Sequence, residues 1–170
     1  GAPLAPDRFE ELVRSLKFTN GADLPFVIGK YLKTFLEVIV GATFLSYMKL
    51  GLDDAAAREA LAVARAYCRV GTLTDLLNFG DNPALTVPLP EFAAVVAHFG
   101  MARLDLANNP RIGGDLSAVE GLVSLTHLEL GGCAAVAGGL AALKGLVKLE
   151  VLVLYNTGVS GAVGARAALQ

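Results

Sequence analysis

The stretch "LDLANNPRIGGDL", residues 104–116, is followed 24 positions later by "LELGGCAAVAGGL", residues 128–140. Both open on a Leu-x-Leu triplet, carry a glycine at the same place and close on a leucine. A third triplet, Leu152-Val153-Leu154, comes at the same step of 24, and Leu77-Asn78-Phe79 precedes the first at a step of 27. Five positions after each leading leucine stand Asn82, Asn109, Cys133 and Thr157. The next columns read Leu85, Ile112, Val136 and Val159, then Val87, Gly114, Gly138 and Gly161, then Leu89, Leu116, Leu140 and Val163. Columns that agree over four copies mark an internal repeat.

Elementary geometry explains the columns. In Leu-x-Leu the outer residues face one way and the middle residue the other, the period of a strand. One short strand per copy stacks in parallel on its neighbours, about 4.8 Å apart. Stacked turns bury polar backbone, and an asparagine side chain can pair it. The glycine permits a tight bend, while Leu122, Leu125, Leu146 and Leu149 fill the interior. No copy buries its own apolar face, so several must stack. The first copy is longer because Pro90, then Phe92, Val95, Val96 and Phe99, read as a helix that Gly100 stops. Ser117-x-x-Glu120 reads as a capping box for a brief turn.

These columns resemble the leucine-rich repeat family in its plant-type form, over about residues 73–165. The chain departs from that pattern at Val87-Pro88, where a glycine is expected, and at Cys133 and Thr157, which take the asparagine position. The resemblance implies an α/β fold: a short leucine-rich-repeat solenoid with parallel strands on a concave face.

Residues 1–71 lack the repeat and read as about three helices, against a repeat region at 72–170. Asp7 and Glu10 start the first helix, and Asn20-Gly21 ends it. The second runs from after Asp23 to about Met48. The third starts at Asp53, with Asp54 and Arg58 spaced as an i,i+4 pair, and Gly71 closes it. Together they form an N-terminal α-helical cap over the apolar end of the stack. Within residues 34–50 only 38–48 are free of charge, too few for the ~20 residues that span a bilayer. That segment is expected to be buried or to lie against a membrane surface or membrane-protein partner.

The net charge of −2 and pI near 5.7 argue against nucleic acid. The 54% hydrophobic content and mean hydropathy of +0.56 suit a subunit of an assembly. Cys68 and Cys133 stand far apart and in no metal-binding spacing. No nucleotide, zinc or calcium motif and no nucleophile elbow is present. No catalytic residue, cofactor, metal or small-molecule substrate is therefore expected. The opening "GAPLAP" lacks a methionine, which fits a cleaved leader or an engineered start. An intracellular location is favoured, with an organelle reached after leader removal left open. The closing "GAVGARAALQ" has no polar cap, as expected of a chain that continues or docks.

The positions the repeat leaves free carry the functional expectation. Asn78, Asp105, Glu129 and Val153 form one outward row across the strands. Gly80, Ala107, Gly131 and Tyr155 form a smooth lane beside it, and Arg103 and His127 stand at the strand entrances. Asp105 and Glu129 are expected one strand apart, and His98 on the surface. The outward row, the lane, Arg103 and His127, but not His98, are read as the partner-binding face of a non-enzymatic protein–protein interaction scaffold, above a structural ladder of Asn82, Asn109, Cys133 and Thr157. The alternative is a structural or linker subunit of a larger membrane-associated organellar complex, photosynthetic or respiratory, held through residues 34–50.

Overall fold

A computed structural model describes residues 4–16 and 23–161. In chain order the elements are α1 (Pro6–Ser15), α2 (Asp23–Phe35), a π-helical turn (Leu36–Val40), β1 (Leu45–Ser46) and α3 (Asp54–Tyr67). There follow β2 (Leu76–Asn78), α4 (Leu89–Phe99), β3 (Arg103–Asp105) and β4 (Gly114–Asp115). The chain continues with a 3-10 turn (Leu116–Val119), β5 (His127–Glu129), β6 (Val136–Gly139), a second 3-10 turn (Leu140–Leu143), β7 (Val151–Val153) and β8 (Gly158–Ser160). The architecture is α/β, with two wholly parallel sheets ordered β1-β2-β3-β5-β7 and β4-β6-β8.

The leading leucines set the register. Leu45 pairs with Leu77, Leu77 with Leu104, Leu104 with Leu128 and Leu128 with Leu152. Leu77, Leu104 and Leu128 are buried, and the middle residues of the triplets face outward, as the alternation requires. The glycine column runs along the second sheet: Gly114 begins β4, Gly138 lies within β6 and Gly161 directly follows β8. Gly114, Gly138 and Gly161 have φ of 134°, 111° and 105°, a region that side chains disfavour. That second sheet was not anticipated from the columns.

The stretch expected to form one helix from Asp23 to Met48 divides instead. α2 stops at Phe35, a π-helical turn ends at Val40, and the chain extends into β1. Helical periodicity loses here to pairing with β2. Beyond the Leu45 and Ser46 register, Tyr47 N–H donates to the Asn78 carbonyl (2.7 Å) and Lys49 N–H to that of Gly80 (3.1 Å). The sheet thus crosses the boundary drawn between residues 71 and 72. Phe35 and Ile39 are buried against α3, with the Phe35 and Tyr67 rings edge to face at 5.0 Å. The first helix's expected stop at Asn20-Gly21, the column position Val163 and the closing segment from residue 162 lie outside the described residues.

Asp53 caps α3, accepting from Ala56 N–H at 2.8 Å. Asp54 and Arg58 form no i,i+4 ion pair, because each finds a partner across the fold. Asp54 accepts from the hydroxyl and N–H of Thr86, and Arg58 grips Glu91 of α4 at 3.1–3.3 Å. α4 begins with Pro90 in its first turn and ends at Gly100 in the left-handed region (φ 65°), as expected. The capping box at Ser117 is displaced by two residues: Asp115 caps the 3-10 turn through Ser117 N–H, and Glu120 ends it.

Candidate interaction surface on the five-stranded sheet

Beneath the outward face, a ladder of side chains holds successive turns together. Asn82 Nδ2 donates to the carbonyls of Tyr47, Phe79 and Gly80 at 2.9, 2.9 and 3.1 Å, and its Oδ1 accepts from Leu52 N–H at 3.0 Å. Asn82 N–H donates to Asn109 Oδ1 (2.8 Å), and Asn109 Nδ2 reaches the Phe79, Leu106 and Ala107 carbonyls. Both asparagines are fully buried, so this pairing satisfies backbone that water cannot reach. Cys133 continues the ladder by donating to the Leu106 carbonyl (3.0 Å), whereas Thr157 serves only its own turn through the Leu154 carbonyl (2.7 Å). Burial pushes the Cys133 thiol above its ordinary range, partly opposed by Asn109 N–H.

A second column lay unread in the sequence. Four residues after each leading leucine stand Lys49, Asp81, Asn108, Gly132 and Asn156, all left-handed, with φ of 58°, 57°, 59°, 80° and 52°. Outside glycine, this conformation is tolerated best by Asn and Asp. Its side chains join across copies: Asn108 Nδ2 donates to Asp81 Oδ1 (2.9 Å), and Lys49 Nζ lies 3.8 Å from Asp81.

The outward row is assembled as expected, with Asn78, Asp105, Glu129 and Val153 in register on β2, β3, β5 and β7. Two of its members are tied to the backbone. Asn78 Oδ1 accepts from Gly80 N–H (2.8 Å) and Asp105 Oδ1 from Ala107 N–H (2.9 Å), so each steadies its own turn. Asn78 is only 8% exposed. Arg103 and His127 are also strand neighbours. Arg103 forks onto Asp75 with two bonds of 2.8 Å, a carboxylate the sequence reading passed over. His127 Nδ1 meets Thr126 Oγ1 at 2.9 Å, and His98 is exposed on α4.

The lane is less open than its small residues imply. Gly80 and Gly131 are buried, and Ala107 is half-buried. Tyr155 does not stand at the end of the lane but lies across Gly131, where a Cβ would come 2.7 Å from its Cζ. Its hydroxyl reaches Asn108 Oδ1 at 3.4 Å. At the opposite side Met48 Sδ takes a contact from Asn78 Nδ2 at 3.9 Å. The lane is therefore a short trough between two exposed apolar side chains, Met48 and Tyr155, with Asp105 and Glu129 alongside. Among the described residues, no three His, Cys, Asp or Glu side chains cluster closely enough to hold a metal ion.

Comparison with protein-family models, curated proteins and solved structures finds no match to this chain.

Proposed function

We propose that the chain is a leucine-rich-repeat solenoid with an N-terminal helical cap, acting as a non-enzymatic protein–protein interaction scaffold through the five-stranded face. The observation that carries this reading is the in-register row Asn78, Asp105, Glu129 and Val153, steadied from beneath by the Asn82–Asn109 ladder. A surface whose turns are already fixed loses little freedom when a partner binds. Asp105, Glu129, Val153, Ala107, Met48 and Tyr155 are the residues assigned to contact. Arg103 and Asn78 act by holding the face in shape.

A photo-crosslinking amino acid at Val153, with a control at the exposed loop residue Lys144, tests the assignment in extracts of the source. Adducts with another protein from position 153 alone support it, provided Glu129→Arg removes them. Equal labelling from both positions, or adducts indifferent to Glu129→Arg, would refute it. Turnover of any substrate that depends on Asp105 would refute the non-enzymatic part.

A second reading is favoured by one observation. Leu36, Val38, Phe44, Met48 and Leu50 are all exposed, although they fall within residues 34–50, of which 38–48 carry no charge. Among the described residues no helix is long and apolar enough to cross a membrane. In this reading residues 34–50 lie against a membrane or membrane protein, and the repeats act as a linker in a larger complex. A chain that stays monomeric without detergent and does not float with vesicles would dismiss it.

A further inference from the structure

A different surface lies on the layer opposite the open face of the sheet. α3 and α4 are the crossovers of two successive parallel pairs, β1–β2 and β2–β3, so both pack on one side. Between them runs a groove of ≈ 640 Å³ with Leu61 and Val95 as its buried floor. Its rims are Ala62 and Ala66 on α3 and Ala94 on α4, all exposed. Small rims let a third helix approach closely, since interaxial distance follows the side chains at the contact.

The charges in the groove choose the occupant. Arg58 closes one end and is engaged by Glu91. Arg65 lines the groove two turns further along α3 and, among the described residues, has no ion pair. Asp54 as well as Glu91 offsets Arg58, so the groove's cationic character rests on Arg65, in a chain whose net charge is −2. We infer that the α3–α4 groove docks an acidic amphipathic helix of a partner protein, its small apolar face between the alanine rims and a carboxylate on Arg65. The surface is separate from the sheet face, so a chain that engages both bridges two partners.

Two designed helical peptides test this. They share an Ala/Leu face and differ only in carrying glutamates or lysines along its edge. Binding is followed by fluorescence anisotropy and by NMR shifts of the full chain, whose fold is checked by circular dichroism. The acidic peptide is expected to bind, to weaken with added salt, and to shift resonances of Ala62, Ala66 and Ala94. Arg65→Glu should weaken it by about tenfold or more and transfer the preference to the lysine peptide, and Ala94→Trp should block both. The inference is overturned if wild type binds the lysine peptide equally well, if neither peptide binds, or if Arg65→Glu leaves the preference unchanged. Self-association that Ala94→Trp abolishes would also overturn it, because the occupant would then be a second copy.

Discussion

The ring of Tyr155 covers the backbone of Gly131 so closely that no Cβ fits beneath it. Position 131 is therefore glycine for a tertiary reason, imposed by a residue one strand over. The ring is 56% exposed and free to swing outward. Gly131→Ala should consequently change the folding free energy by less than about 1 kcal/mol while releasing Tyr155 from Asn108. Thermal unfolding and the NMR shifts of Tyr155 check both parts. In the double mutant with Tyr155→Ala, any cost of the alanine should vanish. A cost that persists would mean the backbone, rather than the ring, forbids a side chain.

The ladder makes a graded prediction. Asn109→Ala leaves the buried N–H of Asn82 without its acceptor and should cost about 2–3 kcal/mol. Thr157→Ala removes one bond to its own turn in a half-buried place and should cost about 1 kcal/mol or less. Urea midpoints at unchanged m-value measure the difference. Equal costs would show that the cross-copy bonds contribute nothing beyond local turn geometry.

Acid and alkali should act through different groups. Hydrogen bonds from the Thr86 hydroxyl and N–H hold the Asp54 carboxyl below its ordinary value. A lowered folded pKa gives stability that is present above the unfolded value of about 4 and lost as pH falls through the folded one. Asp54→Asn should flatten that acid limb. On the alkaline side, burial raises the thiols of Cys68 and Cys133 and the phenol of Tyr47. Their contribution is complete below the unfolded thiol value of about 8.5 and fades as pH rises through the folded values. Cys133→Ala should soften the alkaline loss, as followed by circular dichroism across pH.

What the sequence disclosed depended on how far each signal acts. The strands at Leu77, Leu104, Leu128 and Leu152, the asparagine ladder and the helix ended by Gly100 were legible, because each is written in local spacing. The trough was half legible: spacing brings Asp105 beside Glu129 but does not say that Tyr155 folds back over Gly131, or that Asp75 takes Arg103. The second sheet went unread since β4 and β8, like β6, are short and glycine-bearing, with little strand propensity of their own. The first strand was hidden for another reason. Its triplet, Leu45-Ser46-Tyr47, lies 32 residues before Leu77 and ends on tyrosine, inside a run whose apolar spacing suits a helix. The left-handed column does not disclose it either, because Lys49, in phase with Asp81, Asn108, Gly132 and Asn156, is not a residue type that favours that conformation.

Lys49 is the member of that column least suited to its conformation. An L side chain there costs roughly 1–2 kcal/mol, and Asn or Asp recover part of it by local hydrogen bonding, which lysine cannot do. Its compensation is slight: an exposed contact to Asp81 at 3.8 Å with 69% of the lysine side chain open to water, a pair of little worth. Lys49→Gly should therefore stabilise the fold by about 0.5–1 kcal/mol, the gain from relieving strain exceeding the added freedom of the unfolded chain. Lys49→Val should destabilise it, since a β-branched residue is still less tolerant of positive φ. Chemical denaturation of the two variants gives the answer. Opposite signs place the start of the parallel sheet at residue 45, whereas two neutral substitutions would mean that the first turn is not held in register with the rest.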